Sequence, residues 1–294
     1  MVVERIVRMP EGSAEERTPG TSGPGTGTAQ GRVLHAYDGG GPSGAPVLVW
    51  HHGSPQTGAP LAPVLQAAAE RGIRLLSYGR PSYGGSDPLP GRDVASAAAD
   101  VARIVDAFDV DRFAVMGASG GGPHALACAA LLPQRVTAAV VLASPAPYPA
   151  VDFEYFADMA APGGMRAASA GRASRAAFAL TDEFDPTSFV AADHAALDGP
   201  WSSLGDDVGR SARWGDDGLI DDDVAFMHPW GFDVASVRVP VLVVQGGLDR
   251  VIPPSHGAWL AATIPTAQAW RQPDDGHISV LNACAAAMDW VLQR

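Results

Sequence analysis

Short apolar runs alternate with stretches of helical periodicity along most of this chain. Arg32–Tyr37 alternates apolar and polar positions like a strand and ends in a Gly-rich turn over Asp38–Gly44. Val47–Trp50 follows Pro46 as a continuous apolar run, the form of a strand covered on both faces. Leu61–Arg71 has helical spacing and stops at Gly72. Ile73–Tyr78 reads as the next strand and Val94–Phe108 as an amphipathic helix. Phe113–Met116 is a strand that leads through small residues into a helix from about Gly120 to Leu132. Ala138–Leu142 and Val241–Val244 are two further buried strands. Strands that alternate with helices of about 10–15 residues are joined by right-handed crossovers. The pattern therefore predicts an α/β fold, a mostly parallel sheet with helices on both faces.

The alternation breaks between Tyr148 and Ser236. Pro162-Gly163-Gly164, Pro186, Gly199-Pro200 and Gly218 cut this stretch into short helical pieces, and it is acidic, with Asp221-Asp222-Asp223. Residues 148–235 are read as an inserted helical cap over the C-terminal edge of the sheet, where open α/β sheets place their ligands. The core domain is then 32–147 joined to 236–294. Residues 11–31 are Gly, Thr, Ser, Pro and Glu with little to bury, so 1–31 is expected to be a flexible N-terminal segment. No internal repeat is evident.

Composition narrows the class. At 294 residues the chain is long enough to bury roughly three quarters of its unfolded surface. Its 47% hydrophobic and 18% charged residues are those of a globular protein. A formal net charge of −12 argues against a nucleic-acid partner, which clustered cations would have to hold, and equally against an anionic membrane surface. No apolar run reaches the roughly 18 residues of a membrane span. Met1–Pro10 alternates Val, Ile and charge and lacks the apolar core and cleavage site of a secretory signal. Cys128 and Cys284 sit among alanines in predicted helices and read as reduced packing residues. A cytoplasmic protein is expected.

The candidate chemistry centres on Gly117-Ala118-Ser119-Gly120-Gly121, where a strand turns into a helix. A serine hydroxyl is a poor nucleophile until the backbone lifts it clear and a base takes its proton. Gly-x-Ser-x-Gly meets the first need, because the turn is sharp and only small residues fit two before and two after the serine. The stretch is no phosphate loop: Gly-x-Gly-x-x-Gly would need glycine at Ser119, and no Gly-Lys-Ser/Thr is present. A plain Gly-rich turn is the alternative, and the rest of the chain decides between them.

An orienting carboxylate and then a histidine should follow the serine. Val241–Val244 runs into Gln245-Gly246-Gly247-Leu248-Asp249, which makes Asp249 the candidate acid. His277 follows Gly276 on a loop before the last helix and is the candidate general base. Asp274 and Asp275 are rivals for the acid, although so close to His277 they suit capping of the final helix better. His51, His52 and His124 come too early in the chain order, and His35, His194, His228 and His256 lack a partner pattern. An oxyanion needs two N–H donors. Gly120, directly after the nucleophile, gives one, and Ser54 gives the other, since Gly53 lets its loop turn inwards and Pro55 has no N–H. No carboxylate or cysteine stands at ligand spacing beside His51 and His52, so no metal is expected.

Taken in order, His52-Gly53-Ser54-Pro55, Gly79-Arg80-Pro81-Ser82-Tyr83-Gly84-Gly85-Ser86, Gly117-Ala118-Ser119-Gly120-Gly121, Gly246-Gly247-Leu248-Asp249 and Gly276-His277 resemble the successive signatures of the α/β-hydrolase superfamily. The resemblance covers roughly 32–147 and 236–294. It implies an esterase, lipase-like or peptidase-like hydrolase that works on a small-molecule acyl substrate without a cofactor. Related sequences often read Asp-Arg-Pro-Gly where this one has Gly79 and Ser82 about Arg80-Pro81, a departure confined to a supporting loop. Serine at the nucleophile sets the chain apart from the dehalogenase-like and epoxide-hydrolase-like relatives that use aspartate. The expected function is cleavage of an ester, thioester or amide. One alternative is a prolyl-iminopeptidase-like enzyme whose Glu154, Asp182, Glu183 or Asp185 would hold a free amine. Another is a ligand-sensing protein, or a lyase-like or perhydrolase-like one, on the same fold. The aromatic residues of 148–235 are expected to roof the acyl pocket.

Overall fold

Apolar runs too hydrophobic for a half-exposed sheet become the central strands of the computed structural model, which describes residues 2–9 and 31–294. In chain order the first elements are β1 (Val3–Arg8), β2 (Val33–Asp38), β3 (Val47–His51), α1 (Ala62–Glu70), β4 (Arg74–Tyr78), α2 (Ser96–Ala107), β5 (Phe113–Ala118), α3 (Gly121–Leu131) and β6 (Val136–Leu142). Five helices follow before the sheet resumes: α4 (Gly163–Ser169), α5 (Arg172–Ala179), α6 (Ala191–Asp198), α7 (Ser202–Ser211) and α8 (Asp217–Met227). The chain ends with β7 (Val241–Gly246), α9 (Pro254–Thr263), β8 (Ala267–Gln272) and α10 (Cys284–Val291). The eight strands make one sheet in the order β1-β2-β4-β3-β5-β6-β7-β8. β1 and β2 pair antiparallel with their neighbours, and the other strands run parallel.

The period of two along each strand sorts side chains onto two faces. Val49, Val115, Val141 and Val243 join one apolar layer with Val101, Ile104, Leu126 and Leu260 from α2, α3 and α9. Leu48, Met116, Val140 and Val244 join the other with Val64, Ala68, Met288 and Val291 from α1 and α10. Full burial of one such side chain contributes about 1.5–3 kcal/mol. The insertion shares both layers, through Phe226 of α8 on the first and Trp201 and Leu204 on the second. Strand order reverses at β3, so the chain segments leaving the C-terminal ends of β3 and β5 flank one crevice.

Two elements depart from expectation. Val3–Arg8, assigned to a flexible segment because of the Gly-rich run behind it, is an edge strand. It pairs with β2 from Val3↔Asp38 to Arg8↔Val33. β8 was not anticipated, because Ala267–Gln272 lacks β-branched residues and is largely unburied at the opposite edge. The expectation of a mobile run over 11–31 falls, except for Gly31, outside the described residues. Among the described residues no helix is long and apolar enough to cross a membrane.

Candidate active site

β5 carries Ser119 into the crevice at its C-terminal end. The residue sits at φ 51°, a left-handed conformation that costs a non-glycine residue roughly 1–2 kcal/mol. The Ser119 N–H donates to the Leu142 carbonyl at 2.8 Å, and the Gly122 N–H closes the turn onto the Ser119 carbonyl at 3.0 Å. A methyl at Gly117 would collide with the Gly121 backbone, and one at Gly121 with the carbonyl of His51. The small residues therefore let the elbow press against the loop that follows β3.

Ser119 Oγ lies 3.0 Å from His277 Nε2, and His277 Nδ1 lies 2.9 Å from Asp249 Oδ2. Asp249 is held in turn: its Oδ1 accepts the N–H groups of Val251 and Ile252, each at 2.9 Å, and its Oδ2 accepts Gln245 Nε2 at 3.3 Å. Asp249 is 2% exposed and His277 7%, whereas Ser119 is half-buried and open to an incoming molecule. Burial drives the His277 imidazole towards its neutral form, but the Asp249 carboxylate, with Asp193 beyond it, outweighs this and leaves the ring above its ordinary value. Asp274 and Asp275 make no hydrogen bond to the imidazole, whose partners are Ser119 and Asp249. Nor do they cap the last helical segment as expected. The N–H groups of Ile278 and Ser279 go to Asp193 of α6, each at 2.8 Å.

Ser54 and Gly120 face each other across the crevice, and their N–H groups donate to no protein acceptor among the described residues. Ser54 Oγ donates to Asp222 Oδ2 at 2.5 Å and accepts Arg80 Nη2 at 2.9 Å. Asp222 of α8 is the hub of a buried charge cluster. It takes Arg80 and Arg92 at 2.6 Å each and the Tyr83 hydroxyl at 2.9 Å. Burial alone would raise its carboxyl, yet the two guanidinium groups hold it well below the usual carboxylate range. Neither Asp193 nor Asp222 was singled out from sequence. The Asp221-Asp222-Asp223 run marks the stretch only as acidic, and Arg80 is visible only as part of a supporting loop.

Three of the other histidines, His51, His52 and His256, are fully buried. His52 Nδ1 donates to the Gly53 carbonyl at 2.6 Å, and its Nε2 accepts the Arg80 N–H at 3.2 Å. His51 points elsewhere, towards Cys128 and Tyr78. His256 accepts the Ala146 N–H and donates to the Tyr155 carbonyl. Among the described residues no three His, Cys, Asp or Glu side chains are grouped to hold a metal ion. Glu154, Asp182 and Glu183 are exposed, and Asp185 caps its own turn through the Thr187 N–H. Of the insertion's aromatics, Phe226, Trp201 and Trp230 are all packed into the core, and the Phe226 ring also comes against Gly120. A cavity of about 520 Å³ between α9, β7 and β8 is lined by Gln245, Gly257, Trp270 and Arg271 and does not reach Ser119 or His277.

The family model of the α/β-hydrolase fold matches residues 46–283. A non-heme chloroperoxidase of Streptomyces lividans is 34% identical over 122 residues, 41% of this chain and 44% of that protein, so the match spans less than half of the relative. Among solved structures, bromoperoxidase from Bacillus anthracis superposes with a TM-score of 0.69 at 21% identity over 90% of this chain and 97% of its own. A thermophilic esterase from Thermogutta terrifontis gives 0.68 at 20% identity over 91% and 96%. A hydrolase from Pseudomonas aeruginosa PA01 gives 0.66 at 24% identity over 91% and 97%. At these identities the structural likeness speaks to the fold.

Proposed function

The chain belongs to the α/β-hydrolase fold family, and we propose that within it this protein is a serine hydrolase that cleaves an ester, thioester or amide through an acyl-enzyme. The observation that carries the reading is the unbroken relay from Ser119 Oγ to His277 Nε2 at 3.0 Å and from His277 Nδ1 to Asp249 Oδ2 at 2.9 Å. Ser119 Oγ attacks the acyl carbon as His277 Nε2 takes its proton. Asp249 keeps Nδ1 protonated, so that Nε2 presents its lone pair, and steadies the imidazolium that forms. The negative charge on the former carbonyl oxygen is met by the Ser54 and Gly120 amides and by the start of α3. His277 then returns the proton to the leaving group. Water, deprotonated by the same ring, attacks the acyl-enzyme and restores Ser119.

In this reading residues 148–235 are a cap on the core formed by 32–147 and 236–294, and Phe226 is the part of it set against the reacting acyl group. The likeness to a chloroperoxidase favours a second reading, in which hydrogen peroxide takes the acyl group in place of water and leaves as a peracid. The aminopeptidase alternative draws no support, since none of Glu154, Asp182, Glu183 or Asp185 contacts the site. A ligand sensor on this fold would keep the relay and lack turnover.

The test is a fluorophosphonate probe followed by peptide mass spectrometry, run beside turnover of an acyl series. Labelling of Ser119 with steady hydrolysis, both abolished in Ser119→Ala, is the expected outcome. A folded protein that takes label elsewhere, or none, overturns the assignment. Addition of hydrogen peroxide to the same assay separates the two acyl acceptors.

A further inference from the structure

We propose that Asp193, a fully buried carboxylate on α6 of the insertion, is the positioning residue for the general base: it grips the His277 loop from a separate element and sets where Nε2 stands relative to Ser119. The proposal rests on the Ser119–His277–Asp249 reading above.

Both Asp193 oxygens are committed to this grip. Oδ1 accepts the N–H groups of Ile278 and Ser279 at 2.8 Å and the Ser279 hydroxyl at 3.0 Å. Oδ2 accepts the His277 N–H at 3.2 Å and, from its own helix start, the Val190 N–H at 3.1 Å. Three consecutive backbone N–H groups, those of His277, Ile278 and Ser279, thus converge on one carboxylate, and charged acceptors make the stronger class of hydrogen bond. Ser279 Oγ also accepts the Gly276 N–H at 2.7 Å, which ties the residue before the histidine to the same point. Gly276 is what admits the carboxylate, because any side chain there would strike Asp193 Oδ2.

This grip fixes the base at both ends. Asp249 orients the imidazole from the β7 loop, and Asp193 fixes the backbone that carries it. No group of the core takes over the second role, since the N–H groups of His277, Ile278 and Ser279 have no other acceptor among the described residues. Asparagine at position 193 would keep one oxygen for Ile278 and Ser279 while turning an amide N–H₂ against the His277 and Val190 donors. The loop would then shift, and a displacement near 1 Å in a reacting group costs about 100-fold in rate.

The test compares wild type, Asp193→Asn and Ser279→Ala in fluorophosphonate labelling rate, kcat, KM and thermal midpoint. Asp193→Asn is expected to lower kcat and the labelling rate together by about 10–100-fold at unchanged KM. Its acid limb should move to lower pH, because the Asp193 charge, which adds to that of Asp249 in favouring the imidazolium, is removed while Asp249 stays. Ser279→Ala keeps the carboxylate and loses two hydrogen bonds, the one Oγ donates to Asp193 and the one it accepts from the Gly276 N–H, so a drop of about fivefold is expected with the acid limb in place. Wild-type kcat and labelling in a folded Asp193→Asn, whatever its melting temperature, overturns the proposal. Should Asp193→Asn not fold, Ser279→Ala decides: lowered kcat at unchanged KM supports the grip, and wild-type kcat overturns it. If the wild-type protein itself takes no label at Ser119, it is the triad reading that fails.

Discussion

Ser119, His277 and Asp249 are fixed by opposing demands on the same few atoms. In the proposed mechanism the imidazole must be neutral to accept a proton from Ser119, yet the carboxylates near it favour its charged form and hold it above 6.5. Activity should therefore fall as pH drops, with a midpoint in kcat/KM above 6.5. A midpoint at or below 6.5 would mean that the relay is broken in solution. Asp249→Asn should leave the fold intact and lower kcat by about 10³–10⁴, since the amide stabilises the wrong imidazole tautomer. Near-normal turnover in Asp249→Asn, with loss in Asp274→Asn or Asp275→Asn, would move the acid role. The three relay residues were legible in the sequence because each stands just beyond an apolar run or a Gly-marked loop. Asp193 was not, since its partners are backbone N–H groups 84–86 residues away, and no side-chain pattern marks a backbone group as the target.

At the scale of elements, β3, β5, β6 and β7 were readable because burial on both faces forces continuous apolar runs. The two edge strands escaped because each needs only one neighbour and little burial, so neither pattern nor composition marks it. α8 was readable as a helix but not as an anchor. Its Asp222 joins the insertion to Arg80 and Arg92 of the core and to Ser54. Asp222→Asn should leave two guanidinium groups uncompensated and cost about 3–5 kcal/mol, read as a lower urea midpoint. A loss below about 1 kcal/mol would show the cluster to be solvated. Phe226→Ala tests the same helix from its apolar side. Relative rates on short and bulky acyl groups should change by about 10–200-fold while Ser119 remains reactive to the probe. An unchanged preference in the folded variant would place acyl selection in the core loops.

For the molecule as a whole, acid is the hazard. His51 is pushed down to about 3 and His256 to about 4, and His52 and His124 lie well below 6.5, chiefly through burial. Each binds a proton on unfolding below 6.5 that it does not bind in the fold. Their contribution is full above 6.5 and is lost as pH falls towards the folded values. Asp223, raised to about 6 by burial, works the other way, as does Asp100. His277, held above 6.5 by its carboxylates, also works the other way. Four groups against three leave a net uptake, so the thermal midpoint should drop between about pH 6.5 and 5, at about 1.4 kcal/mol per pH unit for each uncompensated proton. A midpoint that holds or rises over that interval would contradict the neutral buried histidines. A different consequence follows from the first strand pair. The Met9 N–H donates to the Arg32 carbonyl at 2.7 Å, so the chain leaves β1 and returns to β2 at points one strand spacing apart. A folded passenger with adjoining termini, such as a fluorescent reporter, can be spliced between Pro10 and Gly31, because closing a longer loop costs little once its base is pinned. Cutting the chain back to Arg32 would instead strip β2 of its partner and leave a ladder of free peptide groups for a second molecule to zip onto.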